Sequence, residues 1–123
     1  MTRSDPILRS ATYKDAVSFY GGTPPFSFKG FAAELDGEVV ALGGVYYQAG
    51  AAIAFSDLKP AIRKHKRFMV MACKMLVNMF DELDTPVFAV ASSNEPTAPY
   101  LLIRLGFKPT GVFGPNGETM VRN

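Results

Sequence analysis

Apolar and polar positions change period several times along the chain, and each change marks an element. Ile7 to Ala11 reads as a short strand. Thr12, with Asp15 three residues later, forms a capping-box variant that opens a helix through about Tyr20, and Gly21-Gly22 stops it. Thr23 to Gly30 carries no helical period and reads as a loop with aromatic anchors. Phe31 to Leu35 and Glu38 to Gln48 flank Asp36-Gly37, a pair that supplies the positive φ angles of a two-residue hairpin turn. Ala51 to Leu58 follows the turn at Gly50, so three consecutive antiparallel strands are the expected centre of the sheet.

From Phe68 the period lengthens. Phe68, Met71, Ala72, Met75, Leu76, Met79 and Leu83 recur at three- and four-residue steps, while Arg67, Lys74, Asn78 and Asp81 mark the other face. This predicts a helix packed on the sheet. Val87 to Ala91 is a continuous apolar run of strand type, and strand, helix, strand in this order implies a right-handed crossover and a parallel pair. A further helix is expected from about Thr97 to Leu105, with Pro96 in its first turn and Gly106 as its stop. Phe107 to Phe113, the turn at 114–117 and Glu118 to Arg122 complete a terminal hairpin. The whole predicts one α+β domain over residues 1–123, with six or seven strands and about three helices.

Composition narrows the function. At 123 residues and 48% hydrophobic content the chain can bury a core of its own. Thirteen Lys plus Arg against eleven Asp plus Glu leave a net charge of +2, too little for a protein that coats nucleic acid. Cys73 is the only cysteine and falls in the apolar helical pattern, so no intrachain disulfide forms and the thiol reads as core. Residues 1–6 lead into no signal-peptide apolar region, and no apolar run is long enough to span a bilayer. The expectation is a soluble cytoplasmic protein without a membrane partner.

The positive charge is local. Lys59, Arg63, Lys64, Lys66 and Arg67 fall within nine residues, at or just before a helix N-terminus whose dipole is already positive. Such a placement suits a compact anion held by backbone N–H groups and side chains together; the alternative is a solvated basic turn. His65, the sole histidine, excludes a multi-histidine metal site, so no metal is expected.

The order of elements, with an anion site between the fourth strand and its helix, resembles the GNAT family of N-acetyltransferases over nearly the whole chain. Two local patterns carry the resemblance. The family's pyrophosphate loop, approximately V-x-P-x-x-R/Q-x-x-G-x-G/A, is matched in register by Leu58, Pro60 and Arg63. Its later segment, approximately N-x-x-A-x-x-L-Y-x-K-L-G-F, is matched by Ala98, Leu101, Arg104, Leu105, Gly106 and Phe107, and by Asn94 if one residue is inserted before Ala98. Lys66 and Phe68 stand where the family has small residues, and Leu102 stands where it often has a thiolate-protonating tyrosine.

The resemblance implies direct acyl transfer from acetyl-coenzyme A, as co-substrate, to an amine of unstated identity. It implies a splayed parallel pair, in which Phe55, Ser56 and Leu58 meet the pantetheine arm and the segment Arg63, Lys64, His65, Lys66, Arg67 and Phe68, together with Asn94, holds the coenzyme. Asp57, at the end of the fourth strand, is the candidate general base; its alternative is a strand-end turn residue. Tyr100 is the candidate acid, although it lies roughly 200° around the helix from the family's position. Phe26, Phe28, Tyr46 and Tyr47 could line an open aromatic acceptor cleft. Family members often pair through sheet edges or the terminal hairpin, so a homodimer is one expected arrangement. The rival readings are a catalytically silent protein of the same fold used in interaction or assembly, resembling phage-type members and then virion-associated if phage-encoded, and a nucleic-acid-binding module, which the low net charge disfavours.

Overall fold

Thr12 opens α1 (Tyr13–Tyr20) through a reciprocal capping box. Its hydroxyl accepts the Asp15 N–H at 3.3 Å, and the Asp15 carboxylate accepts the Thr12 N–H at 2.7 Å. Arg9 donates to both Asp15 oxygens, at 2.7 and 2.8 Å, and reaches Glu34 at 3.2 Å. The cap is thereby tied to β1 (Ile7–Ser10) and β2 (Phe28–Leu35). These elements belong to a computed structural model that describes residues 5–23, 27–93 and 98–123.

β2, β3 (Glu38–Gln48) and β4 (Ala51–Leu58) run antiparallel, joined by turns at Asp36-Gly37 and Ala49-Gly50. All four turn residues have positive φ, from 51° to 82°, as the mirror-image hairpin turn requires. β2 begins at Phe28, three residues before the expected start. The extension pairs Gly30 with Gly44, where a Cβ on Gly44 would lie 2.2 Å from the Lys29 carbonyl oxygen. Two backbones meet there in place of side chains, so the stretch carries no alternation to read.

A 3₁₀ turn over Pro60–Ile62 leads into α2 (Lys66–Asp81), followed by β5 (Val87–Ser92), α3 (Ala98–Arg104), β6 (Lys108–Gly114) and β7 (Gly117–Arg122). The sheet has seven strands in the order β1-β2-β3-β4-β5-β7-β6, parallel only between β4 and β5. α2 starts two residues before its apolar period does, because Lys66 and Arg67 form an exposed first turn.

Neighbouring residues on a strand face opposite sides. Ala32 and Leu42 pack with Ala16 and Phe19 of α1, whereas Ala33 and Ala41 pack with Phe68 and Ala72 of α2. Under α2 and α3 the core continues through Phe80 and Phe107, whose rings meet edge to face at 5.7 Å, and the fully buried Met120. Arg122 fixes α3 against α2: it donates to the Leu105 carbonyl at 3.0 Å and to Asp81 at 2.6 Å, with its guanidinium 5.9 Å from the Phe80 ring centre. Among the described residues no helix is long and apolar enough to cross a membrane.

Candidate functional site

The parallel pair β4 and β5 is joined at two positions only, Ala52 with Val87 and Ile53 with Phe88. Beyond them each strand follows its other neighbour. β4 stays in register with β3 as far as Leu58, and β5 with β7 as far as Ser92. Pro60 cannot donate a backbone hydrogen bond just past β4, so nothing there draws the strands back together. Beyond Ile53 the β4–β5 ladder ends, and Ala54 to Leu58 line a groove of about 530 Å³.

The groove brings together Phe55, Ser56, Asp57, Leu58 and Arg63 on one side, with Leu102 of α3 and Leu105 just after it on another. Tyr100 is not brought in: it is 70% exposed and lines none of the groove. Phe68 is buried, its ring packed in the core beneath α2, so its bulk does not stand over the turn. Asn94 and Phe26 lie outside the described residues.

Lys64, Lys66 and Arg67 are exposed where the chain enters α2. His65 is the N-cap residue but gives no side-chain cap, and no acidic residue stands in the first turn. Among the described residues the backbone N–H groups of Lys66, Arg67 and Phe68 have no hydrogen-bond acceptor. Three donors, a helix dipole and a ring of cations thus face outward together. Lys59 is drawn away from this set: its Nζ lies 3.2 Å from Glu38 and 5.3 Å from the Phe19 ring centre.

The sequence reading missed Tyr20. This last residue of α1 donates its phenol proton to Asp57 Oδ2 at 2.5 Å, linking residues 37 positions apart. Burial, and after it the Asp57 carboxylate, raise the phenol's pKa above its ordinary range. The only local signal was a tyrosine directly before the helix-stopping Gly21-Gly22, and no spacing connects it to β4. Of the expected aromatic cleft, Phe28 and Tyr46 do converge, on Phe55, with ring centres 5.2 and 6.0 Å from it. Tyr47 faces the other side of the sheet, beside Lys29 and Met79. No group of three or more His, Cys, Asp and Glu side chains that could hold a metal occurs among the described residues.

A mixed seven-stranded sheet with a splayed parallel pair and a helix N-terminus at the open end is the GNAT fold. The chain superimposes on a GNAT-superfamily phosphinothricin acetyltransferase from Sinorhizobium meliloti, solved with AcCoA, with TM-score 0.68 and 17% identity over 95% of this chain and 87% of that one. An N-acetyltransferase from Staphylococcus aureus Mu50 gives TM-score 0.66 and 11% identity, covering 96% and 95% of the two chains. An acyl-CoA N-acyltransferase from Pseudomonas aeruginosa gives 0.65 and 16%, covering 97% and 99%. No protein-family model matches the sequence, and no curated protein sequence does either. Similarity at this level defines the fold.

Proposed function

We propose that the chain binds an acyl-coenzyme A in the groove between β4 and β5 and transfers the acyl group directly to an amine. The observation that carries this reading is the parting of β4 from β5 beyond Ile53, which leaves a groove lined by Ala54 to Leu58 whose open end lies beside the exposed N-terminus of α2. An extended amide-bearing arm can pair with that stretch of β4 as a strand would. A diphosphate fits the three outward N–H groups of Lys66, Arg67 and Phe68, with Arg63 and Lys66 adding charge-assisted contacts. The solved relative with AcCoA supports the same choice of ligand.

The chemistry asked of the protein is modest. The neutral amine nitrogen attacks the thioester carbonyl, the carbon–sulfur bond breaks, and the coenzyme leaves as a thiolate. The substituted nitrogen gives up one proton, and the thiolate takes one. Holding the two reactants together supplies much of the acceleration. Backbone N–H groups of the open β4 edge can stabilise the oxyanion as charge develops on it.

One observation favours a second reading, a catalytically silent protein of this fold. Leu102, which borders the groove, has no proton to give, and Tyr100, which has one, does not line it. A calorimetric titration with acetyl-coenzyme A, followed by a thiol-release assay with a panel of primary amines, tests both. Saturable binding in the micromolar range with amine-dependent thiol release is the expected result. Binding without release selects the silent reading, and no binding overturns the coenzyme site altogether.

A further inference from the structure

The groove wall formed by β4 continues onto the α1 face of the sheet. Phe55 and Asp57 alternate with Ser56 and so share that face. Phe28 meets the Phe55 ring edge to face, and Tyr46 lies tilted against it. Tyr20 holds one oxygen of Asp57 through a proton that stays on the phenol at neutral pH. The cation nearest in sequence, Lys59, is engaged by Glu38 and the Phe19 ring. Arg63 is the cation lining the same groove.

A carboxylate anchored by a neutral donor, beside a cluster of three aromatic rings, matches a particular ligand chemistry. The carboxylate attracts an ammonium, and ring faces attract the same charge and pack against flat apolar groups. We propose that Asp57, positioned by Tyr20, is the docking point for the acceptor's ammonium, and that the acceptor is a primary amine carried on a flat apolar body lying against Phe55 and Phe28. The proposal rests on the acyl-transfer reading and names the substrate class of that site. In it Asp57 touches the substrate. Tyr20 is a positioning residue, whose donated proton fills one lone pair on Oδ2 and leaves Oδ1 for the ligand. Docking makes and breaks no covalent bond; the ammonium loses its proton to solvent before attack.

The test is binding of 2-phenylethylamine, with 2-phenylethanol as its uncharged analogue and butylamine as its ringless one, followed by NMR on the protein with and without coenzyme A. The expected result is that the wild type binds the aromatic amine at least tenfold more tightly than either analogue. Asp57→Asn, which keeps the shape and removes the charge, should lose the preference over the alcohol. Tyr20→Phe should reduce that preference about threefold to tenfold; a tyrosine that only anchors α1 would lower the melting temperature and leave the preference intact. An undiminished preference in Asp57→Asn, or none in the wild type, overturns the proposal. Failure of acetyl-coenzyme A to bind overturns the acyl-transfer reading instead, and the amine titration without coenzyme still reads the docking site.

Discussion

Leu102 and Tyr100, two residues apart on α3, have opposite surroundings: Leu102 borders the groove and packs against the core, whereas Tyr100 is 70% exposed. In the proposed acyl transfer a phenol at 102 would border the groove that receives the leaving thiolate, and the phenol at 100 does not. Tyr100→Phe is therefore expected to leave the rate of thiol release unchanged within twofold. Leu102→Tyr should raise that rate by about tenfold or more, approaching the range typical of general acid catalysis. Single-turnover thiol release, with the folded fraction checked by circular dichroism, measures both. A rate that drops in Tyr100→Phe would return the acid role to Tyr100.

Arg63 and Lys66 frame the entrance to α2 and carry the second prediction. Each charge-assisted hydrogen bond to an anion contributes about 1.5–3 kcal/mol. The double replacement by alanine should weaken coenzyme A binding by about that amount for each such bond removed, while Lys74→Ala, on the middle of the same helix, should not. Calorimetry on the three proteins checks it. Equal affinity in the double variant would remove the phosphate site from this turn.

Most of the fold was legible because its signals are local. The Thr12–Asp15 box, the Asp36-Gly37 turn and the apolar period from Phe68 each sit within a few residues of what they determine. The splay was expected from the resemblance to the GNAT family, and Pro60, whose missing donor is a property of one residue, agrees with it. The Tyr20–Asp57 bond could not, since it joins a helix end to a strand end across 37 residues with no repeated spacing between them. The side of α3 that Tyr100 faces depends on how α3 is packed, and Arg122 of β7 sets that through its bonds to Leu105 and Asp81.

Asp15 gives the fold a defined acid limit. It is 7% exposed, and its hydrogen bonds from Arg9, more than offsetting burial, lower its pKa from 3.8 to about 2. The folded state binds its proton less readily than the unfolded state, so the pair's contribution is complete above about pH 4 and is lost as pH falls toward 2. The contribution amounts to roughly 2 kcal/mol. Urea unfolding between pH 2 and 6 should show this slope in the wild type and a shallower one in Asp15→Asn.

Gly44 is expected to tolerate no side chain. A Cβ there would sit 2.2 Å from the Lys29 carbonyl oxygen and 2.6 Å from the Gly30 Cα, both backbone atoms in a paired strand. Gly44→Ala should cost about 3 kcal/mol, the upper end for overpacking. Gly22→Ala, with nothing within 4 Å of its Cβ, should stay within about 0.5 kcal/mol of the parent. Denaturation midpoints of the two variants decide the matter.

With only Ala52–Val87 and Ile53–Phe88 joining β4 to β5, the sheet is mechanically two panels, one of β1 to β4 and one of β5, β7 and β6. Every other ladder lies inside a panel, so apart from this joint the panels are held together by the side chains of one core, in which Val45 and Ala52 meet Val87, Ala89 and Met120. A molecule laid along β4 in the proposed groove would touch both panels at once, since Ala89 and Val90 of β5 line it opposite Ala54 to Leu58.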